Sequence, residues 1–150
     1  MIKVIMHGCN GKMGQVITGI IAEDADVEIV AGVDASNHIQ NTYPVFSNIA
    51  DCNVEADVVI DFCAAAAVDG LLNYCVEKKL PCVLCTTGLS ETQIAAVEEA
   101  SKKTAILRSA NMSLGVNMLL KILKEAAGIL APAGFDIEIV EKHHNQKVDA

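Results

Sequence analysis

The last ten residues bring together side chains that could move protons and bind anions. Glu141 and Lys142 are followed by two adjacent histidines, His143 and His144, and then by Lys147. Imidazole exchanges protons near neutral pH, and a lysine can bind a substrate carboxylate. The cluster predicts a site that acts on an anionic molecule. A solvated turn and a metal site are the alternatives, and the metal site lacks further zinc ligands at a motif spacing.

A glycine-rich segment follows the first apolar run of the chain. Gly8, Gly11 and Gly14 have the spacing G-x-x-G-x-x-G between a predicted strand and a predicted helix. At such a junction, backbone N–H groups and the positive end of the helix dipole bind a dinucleotide pyrophosphate. Gly8 would permit the tight turn, Gly11 the approach of the phosphates and Gly14 close helix packing. A merely structural turn is the alternative.

Asp34 ends the second predicted strand, twenty residues after Gly14. A carboxylate at this position accepts hydrogen bonds from the adenosine ribose hydroxyls. Residues 35–37 supply no arginine to neutralise a 2′-phosphate, so charge favours NADH over NADPH, and His38 could soften that preference. The alternative is that Asp34 is only a turn residue.

Strands and helices alternate between these residues. Solidly apolar Val/Ile runs separated by helical patterns indicate a parallel sheet covered on both faces. The sequence therefore predicts an α/β fold with a doubly wound, Rossmann-like parallel sheet. Its strands are predicted over 2–7, 27–34, 58–62, 81–85 and 104–107.

A change of pattern begins near residue 113. A long apolar helical stripe covers 113–130, and residues 135–141 alternate with period two, as in a strand with one solvated face. These features predict the first helix and strand of a second, α+β domain. We therefore expect a dinucleotide-binding domain over 1–113 and the incomplete beginning of a substrate-binding and oligomerisation domain over 114–150.

Small polar residues follow the fourth and fifth predicted strands. Thr86-Thr87-Gly88 and Ser109-Ala110-Asn111-Met112 stand at carboxyl ends, where ligands of open parallel sheets bind. We expect both segments to face one crevice. Helix caps and turns are the alternative role for such residues.

Composition excludes several classes of function. The 150 residues are 52% hydrophobic, but no apolar block approaches the roughly 20 residues of a membrane span, and no signal peptide is recognisable. A net charge of -8 disfavours binding to nucleic acid. Cysteines in apolar runs, including the Cys82-x-x-Cys85 pair, indicate buried reduced thiols in a cytoplasmic protein with no metal site.

Four segments in this order resemble the dihydrodipicolinate reductase family: Gly8–Gly14, Thr86–Gly88, Ala110–Asn117 and Glu141–Ala150. The final run, E-x-H-H-x-x-K-x-D-A, is a signature specific to that family. The resemblance implies NAD(P)H-dependent reduction of 4-hydroxy-tetrahydrodipicolinate, a cyclic dicarboxylate, to tetrahydrodipicolinate in diaminopimelate and lysine biosynthesis. It also implies that His143 donates a proton, that His144 contacts the substrate, and that Lys147 binds a ring carboxylate or assists the proton transfer.

The resemblance further implies a set of cofactor contacts, with NADH or NADPH as the cofactor. They are Gly8, Cys9, Asn10, Gly11, Lys12, Met13, Asp34, Cys85, Thr86, Thr87, Ser109, Ala110, Asn111 and Met112. Two positions depart from the family pattern: Cys85 stands where glycine is common, and Cys63-Ala64 where threonine and a polar residue or proline are frequent. Family members continue past Ala150 with Pro-Ser-Gly-Thr and the segments that build a homotetramer. We therefore expect a truncated chain that lacks much of the substrate pocket and the usual assembly surface.

Two other classes of protein are compatible with parts of the sequence. A non-catalytic dinucleotide-binding module needs only residues 1–113. A cysteine-dependent aldehyde dehydrogenase would use Cys85 as its nucleophile, but no base is identifiable beside that thiol in the sequence.

Overall fold

A computed structural model describes residues 1–140 and residue 142. The chain divides into two compact units, Met1–Ala110 and Asn111–Ala150. Every strand found in the described part of the chain lies in the first unit. The second unit contributes one long helix.

The first unit is built on a six-stranded sheet. In chain order its strands are β1 Ile2–His7, β2 Val27–Val33, β3 Val45–Phe46, β4 Val58–Asp61, β5 Cys82–Leu84 and β6 Ile106–Arg108. Their spatial order is β3-β2-β1-β4-β5-β6, and each neighbouring pair is parallel. The winding reverses between β1 and β4, which is where open parallel sheets bind ligands. The predicted doubly wound parallel sheet is confirmed.

The helices are α1 Lys12–Ala22, α2 Val68–Lys78, α3 Glu91–Ser101 and α4 Leu114–Leu130, with short 3-10 turns at Ile49–Asp51 and Ala65–Ala67. The start of α3 has a reciprocal cap. The hydroxyl of Ser90 accepts from the N–H of Gln93 at 3.3 Å, and the side chain of Gln93 accepts from the N–H of Ser90 at 3.1 Å. This arrangement satisfies two donors that the first turn of a helix otherwise leaves open.

The main core lies between the central strands and α2. Ile5, Val59, Leu71, Cys75 and Leu84 are fully buried within it. Helices pack on both faces of these strands: Ile5 and Val59 lie in one cluster with Leu71 of α2, and Met6 lies in a second cluster with Ile17 of α1. This explains the near-continuous Val/Ile runs of the sequence.

Two sequence predictions need correction. β3 was missed because it has two residues, Val45 and Phe46, too few to show a period, and it pairs only with β2. The strand predicted over 135–141 is absent from residues 135–140, and Glu141 lies outside the described residues. A strand requires a hydrogen-bonded neighbour, and the described part of the chain supplies none there.

The second unit has a largely exposed helix. No residue of α4 is buried, and large apolar side chains such as Leu114, Leu119 and Ile122 are exposed. None of the helices in the described residues is long and apolar enough to cross a membrane.

Candidate functional site

The glycine loop joins β1 to α1 in a shape that two of its glycines require. Gly8 has φ +82, and a Cβ there would lie 2.7 Å from the carbonyl oxygen of Phe62. A Cβ on Gly14 would lie 2.2 Å from the carbonyl oxygen of Gly8. The loop backbone therefore packs directly on the first turn of α1. A Cβ on Gly11 would meet only Gly8 O, at 3.3 Å, which leaves this position accessible.

The N–H groups of the loop are used to fix the loop. Those of Gly8 and Cys9 donate to the carbonyl oxygen of Val33 at 2.7 and 3.4 Å, and that of Gly11 donates to Gly8 O at 3.1 Å. The loop is thereby tied to the end of β2. Donors for an anion must then come from the first turn of α1, whose N–H groups have no intrahelical acceptor.

The start of α1 differs from those of α3 and α4. Its N-cap residue, Gly11, forms no side-chain hydrogen bond, and its first turn contains no acidic residue. Serine hydroxyls, Ser90 and Ser113, cap α3 and α4, and α2, which also has no side-chain cap, carries Asp69 in its first turn. Lys12 is exposed at the first position of α1. The N-terminus of α1 thus offers open donors, the positive end of the helix dipole and a cation, which together suit a phosphate.

Asp34 follows β2 directly and lies against the glycine loop. One carboxylate oxygen accepts from the N–H of Asn10 at 2.9 Å, and the other accepts from the N–H of Ser36 at 2.9 Å. Each oxygen keeps a further lone pair, because an ionised carboxylate has about four acceptor positions. Asp34 therefore presents a fixed negative charge, with free acceptor capacity, beside the start of α1.

A chain of side-chain amides supports this corner. The Nδ2 of Asn10 donates to the carbonyl oxygen of Ser36, and its Oδ1 accepts from Asn41 Nδ2 at 2.8 Å. Gln15 of α1 donates from Nε2 to Cys9 O at 2.8 Å and to Asn41 Oδ1 at 3.3 Å. The segment that follows β2 is thus bound to the glycine loop through side chains.

Three neighbouring strands end at a buried polar cluster. His7 ends β1, Asp61 ends β4, and Thr86 follows β5. The carboxylate of Asp61 lies 2.6 Å from His7 Nδ1 and accepts from the Thr86 hydroxyl at 2.5 Å. The same hydroxyl lies 2.9 Å from the carbonyl oxygen of Cys63. All three ends are therefore held together at the carboxyl edge of the sheet.

No sequence pattern identifies this cluster as a unit. Nothing in the sequence singles out His7, and the position of Asp61 after an apolar run is only weak evidence for a site residue. The available clue is an ionisable residue at the end of each of two solidly apolar strands. Burial of Asp61 is tolerable because its carboxylate has hydrogen-bond partners in His7, Thr86 and the N–H of Cys63.

A cavity of about 280 Å³ opens at this carboxyl edge. Its walls include His7, Asp34, Ser47, Cys63 and Gly70, which come from different segments of the first unit. A larger cavity of about 720 Å³ lies at the amino edge, where Lys3 and Lys78 are balanced by Glu55 and Asp57. None of the predicted site residues lines the larger cavity, whereas Asp34 lines the smaller one.

The remaining predicted contacts are distributed over both units. Cys85 is buried, Thr87 is exposed, and the N–H of Ser109 donates to Leu84 O at 3.1 Å, so these residues lie at the same sheet edge. Asn111 belongs to the second unit, where its Oδ1 accepts from the N–H of Ser113 at 2.8 Å just before α4. Ala110 and Met112, its neighbours in the chain, are exposed. The predicted catalytic and substrate residues, His143, His144 and Lys147, lie outside the described residues.

The thiols lie in apolar surroundings. All six cysteines are free, and every one except the half-buried Cys63 is buried. Desolvation, reinforced by Asp61, raises the pKa of Cys85 to about 11. A hydrogen bond with Cys75 and burial raise the pKa of Cys82. A protonated Cys85 is a poor nucleophile, which argues against the aldehyde dehydrogenase interpretation. The described residues contain no cluster of three or more His, Cys, Asp or Glu suited to a metal ion.

Curated relatives match the whole chain. A 4-hydroxy-tetrahydrodipicolinate reductase from Caldanaerobacter subterraneus subsp. tengcongensis is 53% identical over 150 residues, and one from Clostridium tetani is 50% identical over 150 residues. Each alignment covers 100% of this chain but only 59% and 58% of the respective relative. The chain therefore spans somewhat more than half the length of these proteins.

Solved structures show the same fold. A dipicolinate-bound dihydrodipicolinate reductase from Paenisporosarcina sp. TG-14 superposes with a TM-score of 0.76 at 24% identity, covering 86% of this chain and 54% of that one. A myo-inositol 2-dehydrogenase from Lactobacillus plantarum gives a TM-score of 0.60 at 12% identity, covering 85% and 42%. At these identities the likeness concerns architecture alone.

Family models cover nearly all of the sequence. The model for the N-terminus of dihydrodipicolinate reductase matches residues 2–112, and the model for its C-terminus matches residues 115–150. The first match includes the glycine loop and Asp34, and the second includes the His-His-x-x-Lys cluster. This chain belongs to the dihydrodipicolinate reductase family.

Proposed function

We propose that this chain is the cofactor-binding part of an NAD(P)H-dependent 4-hydroxy-tetrahydrodipicolinate reductase. The reaction is the reduction of 4-hydroxy-tetrahydrodipicolinate to tetrahydrodipicolinate in diaminopimelate and lysine biosynthesis. One observation carries the proposal: the Asp34 carboxylate is held 2.9 Å from the N–H of Asn10, directly beside the uncapped start of α1. A ribose acceptor and a phosphate site are thus adjacent, as a dinucleotide requires.

The residues present fit such a cofactor. A Cβ would crowd Gly8 and Gly14, while Gly11 is open to a ligand that approaches the first turn of α1. Asp34 retains lone pairs for ribose hydroxyls. When bound, the reduced nicotinamide supplies the hydride. We assign its contacts to Gly8, Cys9, Asn10, Gly11, Lys12, Met13, Asp34, Cys85, Thr86, Thr87, Ser109, Ala110, Asn111 and Met112.

Charge supports NADH as the favoured cofactor. Residues 35–42, which follow Asp34, contain neither lysine nor arginine to meet a 2′-phosphate. The fixed carboxylate of Asp34 would repel that phosphate. The preference for NADH is part of the proposal.

We assign residues 1–113 to the dinucleotide-binding domain and residues 114–150 to the beginning of the substrate-binding and oligomerisation domain. In the second segment we propose His143 as the proton donor, His144 as a substrate contact, and Lys147 as a carboxylate or proton-transfer partner. These three residues lie outside the described part of the chain, so the assignment is supported by the family match over 115–150. A cytoplasmic location, and a homotetramer for complete family members, remain predictions.

Turnover tests the proposal directly. NADH oxidation would be followed by the loss of its near-ultraviolet absorbance with freshly generated 4-hydroxy-tetrahydrodipicolinate, using the 150-residue chain and its His143→Ala variant. We expect slow but substrate-dependent oxidation that the variant loses by about 10²-fold or more, as is typical for removal of a general acid. Equal rates in the two proteins would remove His143 from the proposed mechanism.

A second candidate, a dinucleotide-binding module without catalysis, is favoured by one observation. The glycine loop, Asp34 and the main hydrophobic core all lie within Met1–Ala110. Cofactor binding therefore does not require the His-Lys cluster. Saturable NADH binding by a folded chain that shows no substrate-dependent oxidation would favour this candidate over the reductase.

A further inference from the structure

The side chain of Asn10 occupies an unusual position in the glycine loop. It is only 9% exposed, and both ends of its amide are used. Nδ2 donates to the carbonyl oxygen of Ser36, and Oδ1 accepts from Asn41 at 2.8 Å, with the Cys9 thiol a further donor at 3.6 Å. The amide thus spans the gap between the glycine loop and the segment that follows β2.

The orientation of this amide is determined by its neighbours. Gln15 fixes the orientation of the Asn41 amide, because Gln15 Nε2 donates to Asn41 Oδ1 at 3.3 Å. The Nδ2 of Asn41 therefore faces Asn10 and donates to it. Gln15 is fixed in turn by donation to Cys9 O at 2.8 Å. A flipped Asn10 amide would place two donors together and two acceptors together. The observed orientation, with its NH₂ toward Ser36, is therefore strongly preferred.

Asn10 and Ser36, which are joined by the Asn10 amide, also hold Asp34 through their backbones. Its carboxylate accepts from the N–H of Asn10 on one side and from the N–H of Ser36 on the other, both at 2.9 Å. Asp34, Asn10 and Ser36 thus form a closed ring of hydrogen bonds. Without the Asn10 side chain both backbone donors to Asp34 remain, but Ser36 loses its tie to the loop, so the N–H that it supplies to the carboxylate is no longer held in place.

We propose that Asn10 is a specificity-determining positioning residue that makes the site select NADH against NADPH. This inference rests on the proposed function. A carboxylate that can turn away makes room for a 2′-phosphate. One held between two backbone donors that the Asn10 side chain ties together cannot turn, and two anions must then stay close. Asn10 acts through Asp34, and its side chain need not touch the cofactor.

Dissociation constants for NADH and NADPH test the proposal, measured by cofactor fluorescence on the full 150-residue chain. Wild type is expected to bind NADH more tightly. Asn10→Ala should reduce the NADPH-to-NADH ratio of dissociation constants by about fivefold, the scale of one screened charge contact. Asn41→Ala, which keeps the Asn10 bond to Ser36 but removes the Asn41 donor to its Oδ1, should shift the ratio in the same direction by less. Asn53→Ala, an exposed asparagine at the amino edge of the sheet, is the matched control and should leave the ratio unchanged.

A double-mutant cycle separates this role from a general structural one. In an Asp34→Ala background, Asn10→Ala should no longer change the ratio, because the charge that it positions is gone. Equal weakening of both cofactors by Asn10→Ala would overturn the inference and leave the proposed function intact. A ratio that shifts equally with and without Asp34 would also overturn it. If Asn10→Ala does not fold, Asn41→Ala decides the question: an unchanged ratio contradicts the proposal. Failure of the folded wild-type chain to bind either cofactor contradicts the proposed function itself.

Discussion

His7 Nδ1 lies 2.6 Å from a carboxylate oxygen of Asp61, and the two side chains are 5% and 0% exposed. With the carboxylate ionised, Nδ1 is the donor in this pair, because an ionised carboxylate can only accept hydrogen bonds. The pair joins the last residues of β1 and β4, which are register partners at the point where the winding of the sheet reverses. Through Thr86 it also fixes the segment after β5.

Breaking this pair should be strongly destabilising. His7→Leu leaves the Asp61 carboxylate buried without its ring donor, for which we expect a loss of about 3–5 kcal/mol in the free energy of unfolding. His7→Asn keeps a donor near Nδ1 and should lose less. Urea unfolding followed by circular dichroism measures both.

A surface pair provides the control for that experiment. Lys102 and Glu99 lie 2.5 Å apart, but their side chains are 65% and 70% exposed. Lys102→Ala should change the stability by about 0–1 kcal/mol, as is usual for exposed ion pairs. Comparable losses for Lys102→Ala and His7→Leu would contradict the conclusion that burial makes the His7–Asp61 pair costly to break.

Two glycines of α1 should respond to alanine in opposite directions. Gly14→Ala places a Cβ 2.2 Å from Gly8 O, so we expect a loss of about 1–3 kcal/mol or more in stability together with weaker NADH binding. A Cβ on Gly19 meets nothing within 4 Å, and Gly19→Ala should stabilise the helix by about 0.5–1 kcal/mol. Paired urea titrations compare the variants. A tolerated Gly14→Ala would show that the loop does not pack as described.

The end of α2 offers a stabilising substitution. Lys79 is the C-cap, with φ 53 and ψ 36, a left-handed conformation that a side chain disfavours. Lys79→Gly relieves that strain at some entropic cost in the unfolded chain, so we expect a net gain of up to about 1 kcal/mol. Lys78→Gly, at the last residue of α2, should destabilise by up to about 1 kcal/mol instead. Thermal unfolding of the two variants decides between these signs.

The buried thiols predict a loss of stability at alkaline pH. Desolvation raises the pKa of Cys9 and of Cys85 from 9.0 to about 11, with Asp34 and Asp61 as the respective secondary causes. The unfolded chain releases these protons at lower pH than the folded chain does. The stability contributed by the protonated thiols is therefore complete below about pH 9 and declines as the pH rises toward about 11. Urea unfolding across this pH range should show the decline, and it should be smaller in Cys85→Ala. A free energy of unfolding that rises over that range would contradict this prediction.

Most of the fold could be predicted from sequence because its signals are local. Val/Ile runs such as Val58–Asp61 indicate a strand that contacts the core on both faces. Ser90 followed by Gln93 indicates the start of a helix. β3 was not predictable because two residues carry no period. Residues 135–140 alternate like a strand, yet strand formation depends on a pairing partner that a local pattern cannot show.

The candidate site was predictable only in part. Glycine spacing and the position of Asp34 are local features, and both segments meet as expected. The Asn10–Asn41 contact and the His7–Asp61 pair join residues 31 and 54 positions apart, so neither leaves a pattern within a short window. The sequence also suggested loop N–H groups free for phosphate, whereas those of Gly8 to Gly11 donate within the protein.

Calorimetric titration of NADH into the 150-residue chain, beside its Asp34→Ala variant, tests the dinucleotide site most directly. We expect saturable binding at a single site on each chain. The variant should lose at least about tenfold in affinity, since hydrogen bonds to a charged group contribute about 1.5–3 kcal/mol. Asp51→Ala, a substitution at an exposed aspartate, should leave the affinity unchanged. Equal NADH affinity in wild type and Asp34→Ala, or no binding by a folded wild-type chain, would contradict the assignment of this sheet edge as the dinucleotide site.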